Sequence, residues 1–177
     1  MRPLFLLSLV LTVTVLSACA PKTPAYREVR PTASRLPSAL PAEPVLLTVR
    51  GRNGSHNLTL RQLEALRVVE YRAHSPQLPK AHLYRGVLLS DLEAFFELEA
   101  DQGLEVTARD GYRTVIRAQD YRDFPVMLAF ASDGRPMTVA QKGPLMIVFP
   151  TGSYPARFLD VEYGPQWVWY VRALRAV

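Results

Sequence analysis

The stretch LEVTARDGYRTVIRA, residues 104–118, carries the strongest folding signal in this 177-residue chain. Two runs of alternating apolar and polar side chains flank the pair Asp110–Gly111. Asp-Gly favours the positive φ angles of a tight turn, and the alternation is typical of strands that bury one face. The stretch therefore predicts an antiparallel β-hairpin with its turn at residues 110 and 111.

Upstream of the hairpin, the sequence predicts two helices that each begin with a capping box. Thr59 and Gln62 form this pattern in TLRQLEAL, and Ser90 and Glu93 repeat it in SDLEAFFELEA. In a capping box, each of the two side chains bonds the backbone amide of the other residue. Gly103 is expected to end the second helix, because glycine adopts the left-handed conformation that closes helices.

Further strands are predicted where short apolar segments lie between turn-forming residues. GPLMIVFP (143–150) is a continuous apolar run, which indicates a strand buried on both faces. Many strands with two helices inserted between them predict an α+β fold, and residues 45–177 have the size of a single domain. The other predicted strands lie in VLLTV (45–49), RVVEYRA (67–73), DFPVMLAFASDGRP (123–136) and WVWYVRALR (167–175).

Residues 1–18 have the pattern of a bacterial lipoprotein signal peptide. Arg2 gives a positive start, and PLFLLSLVLTVTVLSA (3–18) carries no charge. This run is shorter than the ~20 apolar residues of a membrane-spanning helix. LSAC (16–19) resembles the lipobox, in which the cysteine receives a diacylglycerol. Cys19, the single cysteine of the chain, is the predicted lipid attachment site; the alternative is an ordinary signal peptide or an anchor helix.

Lipidation at Cys19 predicts a protein anchored in the cell envelope and facing the periplasm. Each buried methylene contributes ~0.8 kcal/mol, so several acyl chains hold a protein on a membrane. Ala20 follows the cysteine where an aspartate would retain a lipoprotein in the inner membrane, and this favours the outer membrane.

Residues 19–44 are predicted to form a proline-rich tether. This segment contains six of the 15 prolines of the chain and little regular apolar spacing. Proline fixes φ and lacks a backbone donor, so the segment is expected to be extended and poorly packed. A polyproline-like conformation would give it a reach of about 75 Å.

The charge distribution argues against a nucleic-acid partner. The chain has 21 Lys and Arg residues against 16 Asp and Glu residues, a net charge of +5. The arginines are scattered, and nucleic-acid binding requires a clustered basic face with base-stacking aromatics. Weak attraction to small anions or phosphate headgroups is the expected consequence.

The residues that carry catalytic chemistry are sparse. TGSYP (151–155) lacks the second glycine of a nucleophile elbow. The three histidines, His56, His74 and His82, do not have the spacing of zinc ligands. The sequence therefore predicts no catalytic residues and no metal site.

Three segments in order resemble the molybdopterin-binding domain of the sulfite oxidase family: YRGVLLSDLEAFF (84–96), VTARDGYRTVIRAQDY (106–121) and MLAFASDGRPMTVAQKGPLMIVFP (127–150). The resemblance covers residues 45 to about 150 and implies a mixed-sheet α+β fold with a pterin cleft at one end of the sheet. The matching residues are Tyr84, Gly86, Leu88, Asp110, Gly111, Tyr112, Gly134, Pro136, Gly143, Pro144 and Pro150.

Two departures from the family pattern affect the cofactor. The resemblance implies a molybdenum-binding cysteine between RVVEYRA and the YRGV motif, but HSPQLPKAHL (74–83) has none; His74 or Ser75 would replace a soft thiolate poorly. Met146 stands where an arginine often holds the pterin phosphate, and Gln141 and Lys142 replace a histidine and a small residue. These departures predict a domain without molybdenum cofactor.

The export signal leads to the same expectation. MRPLF (1–5) has one arginine rather than a twin-arginine pair, so export is predicted to occur in the unfolded state, without a non-covalent pterin. We therefore expect a binding or sensory module whose cleft accepts a small anion or an envelope protein. The alternatives are a periplasmic oxidoreductase that binds the pterin without the cysteine, and a structural lipoprotein. The candidate cleft residues are His74, Tyr112, Lys142, Tyr154 and Trp167.

Overall fold

The structure, a computed structural model, describes residues 25–177. None of the helices in this range is long and apolar enough to cross a membrane. The strands are β1 (Arg27–Arg30), β2 (Leu47–Gly51), β3 (Gly54–Leu58), β4 (Val68–His74), β5 (Ala81–Leu88), β6 (Gly103–Ala108), β7 (Arg113–Arg117), β8 (Met127–Ser132), β9 (Arg135–Pro136), β10 (Met146–Val148) and β11 (Val171–Ala176). The helices are α1 (Leu60–Leu63), α2 (Leu89–Phe95), α3 (Ala118–Asp123) and α4 (Asp160–Tyr163), with 3₁₀ turns at Val139–Gln141 and Gly164–Gln166.

The strands form two sheets, which we call sheet A and sheet B. Sheet A has six strands in the order β1-β4-β5-β8-β10, with β9 paired to β8, and all its pairings are antiparallel. Sheet B has five strands in the order β3-β2-β11-β6-β7 and is mixed, since β11 runs parallel to β2. Strands of both sheets and the short helices contribute to one buried hydrophobic cluster. The predicted α+β fold is confirmed.

The hairpin that dominates the sequence forms as predicted. Strands β6 and β7 pair antiparallel, with Thr107 opposite Arg113. Gly111 has a φ of 93°, a conformation that costs glycine little. Leu104, Val106 and Ile116 are fully buried, so one face of the hairpin covers the core.

The two capping-box predictions have different outcomes. At α1 the box is present: Gln62 N donates to Thr59 Oγ1 over 3.4 Å, and Thr59 N donates to Gln62 Oε1 over 3.0 Å. At α2 the prediction is wrong, because the helix begins at Leu89 directly after β5 and its cap residue Leu88 has no side-chain cap bond. Leu88 pairs with Met127 of β8, so strand β5 continues to the residue directly before the helix.

Strand predictions were accurate for the buried segments and incomplete at the edges. Met146, Ile147 and Val148 of β10 are all fully buried, as the apolar run predicts. Strand β3 was missed, because GSHNL (54–58) is polar and mostly exposed. Helix α2 ends at Phe95 rather than at Gly103, which instead begins β6.

The described part of the predicted tether, residues 25–44, is mostly exposed, but it contacts the domain through backbone hydrogen bonds. Strand β1 pairs with the edge of sheet A, opposite residues of β4. Further along, Ala33 N donates to Ala65 O over 2.8 Å, and Gln62 Nε2 donates to Pro37 O over 2.9 Å. Backbone pairing along an open sheet edge stabilises this segment although it lacks apolar spacing. Cys19 and the predicted signal peptide, residues 1–18, lie outside the described residues.

Candidate functional site

Three segments meet beside the hairpin tip and enclose a cavity of about 280 Å³, which we call the hairpin cleft. The loop after β4 contributes Gln77, and the turn between β6 and β7 contributes Asp110 and Tyr112. The segment between α4 and β11 contributes Trp167 and Trp169. The hairpin cleft therefore brings together two of the five sequence-predicted residues, Tyr112 and Trp167.

Tyr112 forms one side of the cleft and is held by two hydrogen bonds. Its backbone N–H donates to Asp110 Oδ1 over 3.0 Å, which stabilises the turn. Its hydroxyl donates to Pro165 O over 2.9 Å and so ties the hairpin tip to the segment before β11. Tyr112 remains 45% exposed. Because its hydroxyl hydrogen already bonds Pro165 O, the residue offers a ligand contact with its ring rather than a hydrogen-bond donor.

Trp167 reaches the cleft from the core. It is only 3% exposed, and its ring centroid lies 6.0 Å from that of Phe149. Its main role in this structure is packing, and it also lines the cavity.

Lys142 lies beside the cleft through Trp169. It has a left-handed φ of 69° at the end of the 3₁₀ turn Val139–Gln141. Its Nζ lies 4.2 Å from the centroid of the Trp169 ring, a cation–π contact worth about 0.5–2 kcal/mol. Tyr170 N also donates to Lys142 O over 3.3 Å. Lys142 itself does not line the cavity, but its positive charge contacts Trp169, a residue that does.

A second, more open cavity of about 640 Å³ adjoins the hairpin tip. It shares Asp110 with the hairpin cleft and is otherwise lined mainly by apolar groups, including Met137, Pro144 and the 68% exposed Val139. Ligand pockets commonly have volumes of 300–1,000 Å³ with a few polar groups. This neighbouring cavity therefore extends the space that a ligand of the hairpin cleft can occupy.

His74 and Tyr154 do not line either cavity. His74 ends β4 with an exposed side chain, while its backbone N and O both bond Thr151 Oγ1, over 2.9 Å and 3.0 Å. Tyr154 packs edge-on against Phe124, with ring centroids 5.0 Å apart. These two residues therefore lie apart from the hairpin cleft. The backbone of His74 holds the loop at Thr151, and the ring of Tyr154 packs against Phe124.

Sequence reasoning missed Trp169 and Gln77 as cleft residues. Trp169 was read as part of the terminal strand, but β11 begins two residues later, at Val171. Gln77 lies in a loop that its own side chain helps to position, since Ser75 Oγ donates to Gln77 Oε1 over 2.8 Å. The two tryptophans in WVW (167–169) were the sequence feature that could have indicated an aromatic wall of the cleft.

The donor set around the cleft does not fit a molybdenum–pterin group. No cysteine lies in residues 25–177, and no cluster of three or more His, Cys, Asp or Glu side chains in that range is arranged to hold a metal. Ser75, in the loop where the resemblance implies the thiolate, is fully buried with its hydroxyl engaged by Gln77. Met146 is fully buried in β10 and offers no phosphate donor.

The comparisons with known proteins support the fold. The described domain is similar to the crystal structure of the sulfane dehydrogenase SoxCD from Paracoccus pantotrophus, with a TM-score of 0.55 and 20% sequence identity. The match covers 73% of this chain but 37% of that one, so this chain spans well under half of its structural neighbour. That neighbour is a sulfite oxidase-family protein, and the fold is sulfite oxidase-like. No protein-family model and no curated protein matches this sequence.

Proposed function

We propose that this protein is a lipid-anchored envelope protein whose sulfite oxidase-like domain works as a ligand- or partner-binding module without a molybdenum cofactor. The anchor is the acylated Cys19, and the domain faces the periplasm from the outer membrane. The hairpin cleft is the binding site, and its ligand is a small anion with a planar or apolar part.

The observation that carries this proposal is the pairing of Lys142 with Trp169 at the cleft wall. The ammonium is 4.2 Å from the indole centroid and has no ion pair with a described carboxylate. Cation–π contact orients the charge without neutralising it, so the lysine keeps its capacity to attract an anion. Trp167 and Tyr112, which also line the cavity, supply apolar contact for the rest of the ligand.

Intrinsic fluorescence gives a direct test of the cleft. The chain has two tryptophans, Trp167 and Trp169, and both line the cavity. Titration with benzoate, an aromatic carboxylate, is expected to change the emission of the full chain in a saturable manner. Lys142→Ala is expected to abolish the change, whereas Lys80→Ala, at an exposed loop lysine, is expected to preserve it.

A flat benzoate titration, or equal responses of the two lysine variants, would contradict binding in the cleft. A stable envelope partner recovered by crosslinking, whose capture is unaffected by Lys142→Ala, would favour the structural lipoprotein instead.

Elemental analysis separates the binding module from an oxidoreductase. The full chain, purified from membranes in detergent, is expected to contain molybdenum far below one atom per protein. Stoichiometric molybdenum would support the enzyme and reject the cofactor-free module. Mass spectrometry of the mature N-terminus tests the anchor, with Cys19→Ser expected to lose the acyl mass.

A further inference from the structure

A concave, arginine-rich surface lies on the outer face of sheet B, and nothing in the proposed function uses it. Its volume is about 370 Å³, and it shares no lining residue with the hairpin cleft. We call it the arginine basin and define it by its five arginines: Arg50, Arg109, Arg113, Arg172 and Arg175.

The strand register explains why this surface is concave. Thr48, Ala173 and Thr107 lie side by side on β2, β11 and β6, and the row continues to Arg113 on β7. Three small side chains in adjacent strands make a low floor. The alternate residues of the same strands, such as Val49 and Val106, point into the core and are fully buried, as the two-residue period of strands requires.

The charges around this floor are strongly unbalanced. Five guanidinium groups line the basin together with a single carboxylate, that of Glu105. Glu105 is already bound by Arg175, whose Nε and terminal NH₂ donate to its two carboxylate oxygens over 3.2 Å each. The hydrogen bond from Arg175, aided by the charge of Arg113, holds the pKa of Glu105 below its ordinary value. The carboxylate is therefore ionised at neutral pH and still leaves a large positive excess.

Most of the remaining arginines have unused donors. Arg172 Nε donates to Ala108 O over 3.1 Å, which orients its guanidinium and leaves the terminal nitrogens free of described partners. Within residues 25–177, the side chains of Arg50, Arg109 and Arg113 make no hydrogen bond or ion pair. Guanidinium groups match phosphate oxygens in a two-pronged geometry, and several of them around a small concavity favour a polyanion.

We propose that the arginine basin binds a small phosphate-type polyanion, of about the size of pyrophosphate, through Arg109, Arg113 and Arg172. The anion lies on the floor formed by Thr48, Ala173 and Thr107. A concavity with a small-residue floor admits a compact soluble anion, so we assign a soluble ligand rather than the surface of a bilayer.

Calorimetric titration of the full chain with inorganic pyrophosphate, at low salt and pH 7.5, tests this site. We expect saturable binding that weakens as NaCl is raised, because the contacts are charged and exposed. The double substitution Arg109→Ala/Arg113→Ala is expected to weaken binding by about tenfold or more, since each charge-assisted hydrogen bond contributes more than a neutral one. Glu105→Gln is expected to strengthen it.

The charge-matched control is Arg72→Ala/Arg135→Ala, which removes two exposed arginines from sheet A. Binding that is retained in this control and lost in the basin variant supports the proposal. Absence of pyrophosphate binding, or an equal loss in both double variants, overturns it. Binding to phosphatidylglycerol vesicles without binding to pyrophosphate also overturns it, because that result would indicate adsorption to a membrane.

The basin test is independent of the cleft test. Lys142→Ala is expected to leave pyrophosphate binding unchanged. Because Arg109 also lines the cavity that adjoins the cleft, the reverse control is Arg113→Ala/Arg172→Ala, which is expected to leave the benzoate response unchanged. Failure at one site therefore does not count against the other.

Discussion

Arginines are used in two opposite ways in this domain. Near the edge of sheet A, two arginines bind one buried carboxylate: Arg27 and Arg85 bind Glu70, whose side chain is 6% exposed although Arg27 itself reaches solvent. On the outer face of sheet B, five arginines surround one carboxylate that is itself partly exposed. In the first arrangement each guanidinium is bound to the carboxylate, and in the second most guanidinium groups have no carboxylate partner.

A second buried carboxylate repeats the first arrangement. Asp120 is 1% exposed and accepts from Arg117 Nε over 3.0 Å, from Arg157, and from the Tyr163 hydroxyl over 3.3 Å. These contacts link α3 to the segment around α4. In these three clusters, the burial of the carboxylate, rather than the number of arginines, distinguishes charge that stabilises the fold from charge that remains available to a ligand.

Asp120→Ala is expected to have the largest effect on stability. It removes the acceptor shared by Arg117 and Arg157, and the free energy of unfolding should fall by about 3 kcal/mol, the low end for broken buried ion pairs, because both arginines keep some solvent contact. Urea denaturation measures this. The matched control, Asp123→Ala on the exposed face of α3, should change stability by less than about 0.5 kcal/mol. Equal effects of the two substitutions would show that the buried carboxylate stabilises the fold no more than an exposed one.

Glu70→Gln is expected to have a smaller effect that depends on pH. Burial alone raises the pKa of Glu70, but the hydrogen bonds from Arg27 and Arg85 outweigh it and hold that pKa below its ordinary value. The ionised carboxylate therefore stabilises the protein above about pH 4.3, and this contribution is lost as pH falls through the lowered native pKa.

Denaturation midpoints between pH 3 and pH 7 measure this contribution. Glu70→Gln should flatten the acid side of the stability profile and lower stability at neutral pH. Glu28→Gln, at an exposed position of β1, should keep the wild-type slope. A wild-type slope in Glu70→Gln would show that the carboxylate contributes nothing that depends on its charge.

Glu105→Gln should change the unfolding midpoint by no more than about 2 °C, because the Arg175–Glu105 pair is exposed and exposed pairs contribute little. Differential scanning calorimetry measures this shift. A large destabilisation would place Glu105 with the buried carboxylates and remove the contrast between the two regions.

Arg109→Ala/Arg113→Ala should have the smallest effect on stability, within about 0.5 kcal/mol of wild type. Neither side chain has a described partner, and their removal reduces repulsion among the basin arginines. Urea denaturation without added phosphate measures this. Substantial destabilisation would mean that these arginines support the fold, and any loss of pyrophosphate binding would then have a structural cause.

Much of the fold was predictable from sequence, because local chemistry and tertiary packing agree there. Asp110–Gly111 favours the turn that the two sheet-B strands require, and the apolar run before Phe149 is buried throughout. Strands β1 and β3 escaped prediction because they are polar edge strands, held by backbone pairing that leaves no hydrophobic period. The helix start after β5 was misplaced because strand pairing overrides the local capping pattern at Ser90.

The candidate site was less predictable, because it depends on which loops meet in space. Tyr112 and Trp167 do line one cavity, and Lys142 contacts its wall. His74 follows the predicted strand closely in sequence, but its side chain points to solvent. The arginine basin could not be predicted from sequence, because its five arginines come from three strands and one turn and meet only through the sheet register.

The pairing of β1 with β4 limits how far the domain could lie from a bilayer to which Cys19 is attached. Under the proposed acylation of Cys19, seven residues, 20–26, separate the anchor from β1, and seven residues of any conformation span at most about 25 Å. If that anchor is present, the domain would stay within this distance of the lipid, with the β1 edge nearest to it. Partners that approach from the far side of the periplasm would meet the opposite end of the molecule.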